Sequence, residues 1–303
     1  MPFIGSWMYG HAIRAEEQTP AQDEAWARLP FAKTACFPWD AGSTFVQPPP
    51  FFSADQVRPQ GDIIDARPLL WLGDNVTTDH ISPISRIRAD SPAGLYLRQL
   101  GVEAERLGGY GDRRANHHVM IRGTFDNQRL DNQLTGIAGN HALAPDGQLM
   151  SVFEAASAFA ASDIPMVVIA GDNYGTGSAR DWAAKGTALL GIRTVIARSF
   201  ERIHRNNLIA MGVLPIVLPP GAALPPPTPN LRISILGVDR LSPERRTVAV
   251  CFAAPDGTHL AELDAQVDTP SPSQIALLRT GGLFARFIAS CQRGAGCAPL
   301  DGD

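Results

Sequence analysis

An α/β fold is what this sequence predicts, and two observations carry the prediction. Between residues 165 and 218, apolar runs of strand length alternate with stretches of helix length. Beyond residue 230 the pattern turns to strands. Alternation of the first kind argues for an α/β layer arrangement, and the later strands form a β-rich section.

Residues 1–60 are poor in periodic pattern and rich in proline, and Pro48-Pro-Pro50 enforces an extended segment. They read as an N-terminal arm or linker, with the domain proper at 61–303. Arg67–Leu72 is the first core strand, an apolar run that stops at Gly73-Asp74. Ser91–Leu100 is a short helix, and a polar loop runs through Tyr110–His118. Met150–Ala161 has the spacing of an amphipathic helix. Then come a strand at Pro165–Ala170, a helix at Arg180–Leu190, a strand at Thr194–Ala197, a helix at Glu201–Met211 and a strand at Val213–Leu218. Residues 219–229 hold a proline cluster that interrupts the pattern as a surface loop. Arg232–Leu236 and Thr247–Phe252 are strands, and Ser273–Ser290 is a helix pair broken at Gly281-Gly282. No internal repeat is visible.

A chain of 303 residues that is 45% hydrophobic can bury a substantial core, in one large or two small domains. No apolar run approaches the length of a membrane span. The net charge of −4 gives no overall attraction to nucleic acid or to an anionic membrane. Cys36, Cys251, Cys291 and Cys297 include no Cys-x-x-Cys pair. With no secretory signal and a chain too large to need staples, the expectation is free thiols in a reducing cytoplasm.

Chemistry concentrates after the 165–170 strand. Gly171, Gly175 and Gly177 permit a tight turn of positive φ, and Ser178 falls at or just before the first turn of the helix that follows. Unpaired N–H groups and the positive end of the helix dipole favour negative charge there, a serine alkoxide or a substrate carboxylate. A serine in that place is equally an ordinary N-cap. The motif is not the Gly-x-Ser-x-Gly elbow of a hydrolase, and no histidine matches Ser178. It also lacks Gly-x-x-x-x-Gly-Lys and an acidic residue at dinucleotide-binding spacing.

Residues 175–186, Gly-Thr-Gly-Ser-Ala-Arg-Asp-Trp-Ala-Ala-Lys-Gly, are followed by Ser199-Phe-Glu-Arg-Ile-His-Arg-Asn-Asn-Leu208 and Met211-Gly-Val-Leu-Pro215. Together they resemble the C-terminal swivel domain of the aconitase, iron regulatory protein and isopropylmalate dehydratase family, nearest to the bacterial aconitase A branch. Three further blocks agree in order: Leu72-Gly-Asp-Asn-Val-Thr-Thr-Asp-His-Ile-Ser-Pro83, Asp90-Ser-Pro-Ala-Gly94 and Met120-Ile-Arg-Gly-Thr-Phe-Asp-Asn127. Pro38–Phe45 and Pro48–Phe52 resemble the linker leading into that domain. The resemblance implies a swivelling domain of three layers, β/β/α, with a mixed sheet behind an extended arm. It implies reversible dehydration of a hydroxylated di- or tricarboxylic acid, in which a base removes a proton beside a carboxylate while a cluster iron acts on the departing hydroxyl. By that resemblance Ser178 is the catalytic base, Arg122 and Arg180 bind substrate carboxylates, and position 179 lies at the substrate. A guanidinium suits the role because its planar fork pairs a carboxylate bidentately and stays charged. Asp79, His80 and Gly177 are supporting residues, the first two orienting an arginine or shaping an interface.

Ala179 departs from the family pattern, which has a second serine there. The missing hydroxyl removes one donor worth about 1 kcal/mol, leaves the backbone N–H, and favours a substrate in which one carboxylate is replaced. The family's [4Fe–4S] cluster sits on three cysteines of preceding domains, which this chain does not match. The resulting expectation is the small subunit of a two-component hydro-lyase, with the cluster on a large partner subunit and none bound here. Two other classes stay open. One is a cluster-independent isomerase of an unsaturated acid. The other is an RNA-binding module using Arg193, Arg198, Arg202 and Arg205, disfavoured by the net charge and by the lack of an aromatic platform beside them. His117, His118 and His204 lack metal-ligand spacing and read as surface or packing residues.

Overall fold

The computed structural model describes residues 7–8, 11–12, 37–52, 61–269 and 271–292. The chain divides into two compact units, residues 1–39 and 40–303. In the first, Trp7–Met8 pairs antiparallel with His11–Ala12, and the rings of Phe37 and Trp39 lie 4.7 Å apart.

The second unit is built on a mixed seven-stranded sheet that closes on itself. Four strands run parallel in chain order: β1 (Ile63–Trp71), β2 (Met166–Ile169), β3 (Ile192–Ala197) and β4 (Leu214–Val217). Three antiparallel strands complete the ring: β5 (Arg232–Leu236), β6 (Thr247–Ala253) and β7 (His259–Val267). β5 pairs with β1, and β7 pairs with β4. The burial patterns explain the two halves. Every residue of β2 is buried, as a strand covered on both faces requires, whereas β6 alternates buried Val248, Val250 and Phe252 with more exposed neighbours.

Three layers result. Inside the closed sheet, Ile169, Ile196 and Ile216 from the parallel half meet Ile233, Val250 and Val267 from the antiparallel half. Outside the parallel half lies a helical layer, in which Ala155, Phe159, Ala183 and Leu208 pack on Leu70, Val168 and Val195. These helices are α4 (Val152–Ala161), α5 (Trp182–Leu189) and α6 (Arg202–Ala210), preceded in the chain by α1 (Thr78–Ile81), α2 (Pro92–Gln99) and α3 (His117–Arg122). The β/β/α swivel-type fold expected from the sequence is therefore present. Ser151 and Glu154 close a capping box on α4, and Ser91 with Pro92 starts α2, so local signals fixed both helix starts. α7 (Pro272–Thr280) ends at Gly281 with φ 87°, and α8 (Leu283–Gln292) follows.

Two elements differ from expectation. The loop expected through Tyr110–His118 ends in α3, whose N-cap Asn116 accepts from the N–H groups of His118 and Val119. Strand β7 was not anticipated, although Ala261, Leu263, Ala265 and Val267 alternate with Glu262, Asp264 and Gln266; two of the four inward positions are small alanines, which weakens the period-two signal. The stretch 40–52 is bonded to the domain: Arg113 and Asn116 both donate to the Thr44 carbonyl at 2.9 Å, and Phe51 stacks on Phe284 at 4.8 Å. No helix among the described residues is long and apolar enough to cross a membrane.

Candidate active site

The motif-bearing loops gather at the carboxyl ends of the parallel strands, the end at which both open and closed parallel α/β sheets present ligand sites. The loop after β1 and the loop after β2 are laced together. Asn75 N–H donates to the Asp172 carbonyl at 2.7 Å, Asp172 N–H to Asp74 Oδ1 at 2.7 Å, and Gly175 N–H to the Val76 carbonyl at 2.7 Å. The turn after β3 joins from the other side, with Tyr174 N–H donating to the Ser199 carbonyl at 3.0 Å and Glu201 N–H to the Tyr174 carbonyl at 2.9 Å.

The glycines serve different ends. Gly175, at φ 83°, lies over the buried His204 ring, and a Cβ there would stand 2.1 Å from His204 Cδ2. Gly171 is not in the positive-φ region; it is required because Asp74 Oδ1 would lie 1.9 Å from a Cβ. Gly177 does have positive φ, 106°, and so permits the turn immediately before Ser178.

Ser178 is not at the start of the helix. α5 begins at Trp182 with Asp181 as its N-cap, so Ser178 sits in the loop and is exposed. The two positive-φ glycines and a hydrogen bond from the Thr78 hydroxyl to the Ser178 carbonyl, 2.8 Å, hold the chain out of helical geometry there. The helix dipole, which fades within the first turn, is not the agent acting on the serine oxygen. Among the described residues, the N–H groups of Ser178, Ala179 and Arg180 have no hydrogen-bond partner. Ala179 is exposed beside them.

Arg180 turns back under the loop. Its Nη1 donates to Asp79 Oδ1 at 3.1 Å and to the Ser82 carbonyl, and lies 3.5 Å from the Thr78 carbonyl. Its side chain is only 14% exposed, yet Nη2 and Nε bond no described residue, which leaves one edge of the fork for a ligand. Asp79 is set in α1, where Asn127 donates to its carbonyl at 3.0 Å. His80 closes that short helix: Nδ1 accepts from Thr77 N–H at 3.0 Å, and the Thr77 hydroxyl accepts from His80 N–H at 3.3 Å. Burial lowers the His80 pKa, Arg129 lowers it further, and Asp79 opposes both.

Arg122 is placed differently. At the end of α3 it donates to the His118 carbonyl at 2.8 Å, and its guanidinium lies between Tyr96 and Phe153, 4.4 and 4.6 Å from the ring centroids. Burial lowers its pKa from the usual value. None of these contacts is with Ser178, Ala179 or Arg180. His117, beside it, is pushed down to about 4 by burial and by the adjacent His118 and Arg122.

Two residues at the site, Thr78 and Tyr174, escaped the sequence reading, and a third, His204, was read without its place beneath the loop. Thr78 is buried and bonds the serine loop. Tyr174 and His204 are buried with Tyr174 Oη and both imidazole nitrogens unpartnered, and burial pushes His204 down to about 4. His204 is indeed a packing residue, but its ring packs directly under the motif glycine. The doubled threonine before Asp79 was the available signal for Thr78.

No three His, Cys, Asp or Glu side chains among the described residues gather to hold a metal. Cys251 is on β6 and Cys291 on α8, and burial raises the Cys251 pKa, which disfavours the thiolate a cluster needs. These donors do not fit a [4Fe–4S] cluster; Cys36 and Cys297 lie outside the described residues. Of the basic quartet, Arg205 faces Asp268 at 3.3 Å.

Residues 93–221 match the aconitase C-terminal domain family. Aconitate hydratase A of Thermus thermophilus is 47% identical over 273 residues, 88% of this chain and 30% of the relative. Phosphinomethylmalate isomerase of Streptomyces viridochromogenes is 46% identical over 271 residues, 87% of this chain and 30% of the relative. Among solved structures, the 3-isopropylmalate dehydratase of Methanocaldococcus jannaschii covers 77% of this chain and 100% of its own, with 19% identity and a TM-score of 0.41. The chain spans about a third of the length of the relatives it matches by sequence.

Proposed function

Since this chain belongs to the aconitase family through its C-terminal domain, we propose that it acts as the small, swivelling component of a two-part hydro-lyase. In this reading residues 61–303 form the swivel domain behind an arm at 1–60, and the reaction takes place in the cytoplasm on a hydroxy di- or tricarboxylic acid. A large partner subunit carries the [4Fe–4S] cluster, which supplies the Lewis acid for the departing hydroxyl.

The work of this chain is proton transfer and substrate binding. Ser178, as alkoxide, removes the proton from the carbon beside a carboxylate. A serine oxygen needs strong stabilisation to hold negative charge, and two sources are at hand: the partnerless N–H groups of Ser178 and Arg180 and the positive charge of Arg180. The unpaired Nη2–Nε edge of Arg180 receives a carboxylate as a fork, with Asp79 holding the other side of the guanidinium. Arg122 binds a second carboxylate in this reading, and the aromatic rings around it limit its motion. The observation that carries the proposal is the exposed Ser178 hydroxyl beside partnerless amides and an arginine anchored by one nitrogen only.

Ala179 bears on substrate. Without a hydroxyl at that place, a substrate with a replaced carboxylate is accommodated more readily than citrate. The relative named phosphinomethylmalate isomerase makes phosphinomethylmalate one compound to test. The experiment is anaerobic mixing of this chain with a cluster-bearing large subunit of the aconitase family, assayed against aconitate, methylaconitate, isopropylmaleate and phosphinomethylmalate. Hydratase activity is expected only in the mixture and is lost with Ser178→Ala. Activity of the metal-free chain alone would replace this reading with that of a cluster-independent isomerase.

A further inference from the structure

Thr78 touches the serine loop at every second residue. Its N–H donates to the Thr176 carbonyl at 2.8 Å, its hydroxyl donates to the Ser178 carbonyl at 2.8 Å, and its own carbonyl lies 3.5 Å from Arg180 Nη1. The residue is 3% exposed, in contrast to the exposed Ser178 and Ala179 above it. A threonine hydroxyl has one proton to give, and here it is spent on a backbone carbonyl.

That bond fixes more than a carbonyl. A trans peptide is planar, and its C=O and N–H point in opposite directions. No cis peptide is present, so pinning the Ser178 carbonyl toward the buried Thr78 turns the N–H of Ala179 the other way, to the exposed side. That N–H has no partner among the described residues. Position 179 carries no side-chain donor, so its backbone is the one donor it has.

We infer that Thr78 is a positioning residue that aims the Ala179 N–H, the one donor left at that position, at a substrate carboxylate. The inference rests on the reading that this loop faces the substrate. The hydroxyl, not the shape of residue 78, is the operative feature. Thr78→Ser keeps it, and Thr78→Val keeps the shape without it.

The test is a titration of the full chain, without partner, with the tricarboxylate tricarballylate, following the Ala179 amide by ¹H–¹⁵N NMR. In the wild type and in Thr78→Ser the Ala179 amide proton moves downfield with saturable dependence on ligand. In Thr78→Val that movement is lost and apparent affinity falls about tenfold. The Ser178 carbonyl ¹³C resonance moves in Thr78→Val and returns in Thr78→Ser. A wild-type Ala179 amide that ignores the carboxylate, or a Thr78→Val chain that binds as the wild type does, overturns the inference. In the reconstituted enzyme Thr78→Val raises KM about tenfold and leaves kcat within a few-fold, and Thr78→Ser restores KM. If the titration succeeds while no mixture has hydratase activity, the hydro-lyase reading falls and the role of Thr78 in carboxylate binding stands.

Discussion

Ser178 and Arg122 sit on segments held by different kinds of force. The Ser178 loop hangs from directional hydrogen bonds to residues about a hundred positions away: Thr78 to Ser178, Asp79 to Arg180, Asp74 to Asp172. Arg122 ends a capped helix whose hydrogen bond is local, to the His118 carbonyl, and its guanidinium rests on two aromatic faces. A hydrogen-bonded loop has one arrangement that satisfies its donors, so it defines a reacting atom closely and tolerates little. An arginine between rings can slide along them at small cost, which suits a group that follows a substrate of varying shape.

The contrast is sharpest at Ser178 itself. Because the side chain is exposed and bonds no described residue, Ser178→Ala leaves thermal stability unchanged while removing about 10³-fold of the reconstituted hydratase activity. Calorimetry beside the rate assay checks both halves, and an active Ser178→Ala enzyme would sink the assignment of the base. Gly175→Ala does the reverse, acting on the fold first. A Cβ 2.1 Å from His204 and a φ of 83° together cost about 3 kcal/mol, read from the denaturant midpoint. An alanine accepted there for less than about 1 kcal/mol would mean that the loop is softer than its hydrogen bonds suggest.

How much of this was visible in the sequence follows the same division. Runs such as Met166–Ile169 and the capping box Ser151–Glu154 announce themselves locally, and the elements they specify form where expected. Family motifs pointed to Ser178, Arg122 and Arg180. What no local pattern carries is the bond between residue 78 and residue 178, or the His204 ring beneath Gly175. Both arise when separate strands bring their loops to one end of the sheet. The misplacement of Ser178 at a helix start has the same origin. Residues 178–181 have no sequence feature that forbids helix, and only the Thr78 hydroxyl and the preceding glycines hold the chain out of it.

Acid loosens the loop through His204 and the Arg122 helix through His117 over the same range. His204 is buried and neutral with its pKa pushed down to about 4, below the unfolded value of about 6.5. A depressed histidine contributes stability that is whole above the unfolded pKa and is lost as pH falls toward the folded one. The window is therefore pH 6.5 to 4, and the loss from this residue approaches about 3 kcal/mol at its lower end. His117, pushed down to about 4 as well, adds a loss of the same sign. Unfolding free energies at pH 7 and pH 4.5, for the wild type and for His204→Gln, give the contribution by difference. Equal pH dependence in the two chains would remove His204 from the account.

The smallest effects test the arginines directly. Asp79→Asn removes the charge that anchors Arg180 while keeping an acceptor oxygen. Since Asp79 is 43% exposed, solvent screens the pair and the stability change stays below about 1 kcal/mol. The effect belongs in substrate binding: the Nη2–Nε edge loses its fixed aim, and KM rises up to about tenfold with kcat nearly unchanged. Tyr96→Leu is the counterpart at Arg122, where losing one ring face costs about 0.5–1 kcal/mol. If directional bonding matters more than ring contact for holding a carboxylate, Asp79→Asn raises KM further than Tyr96→Leu does. The opposite order would mean that Arg122 is as tightly aimed as Arg180, and that its aromatic walls, not the laced loops, set the geometry of the bound acid.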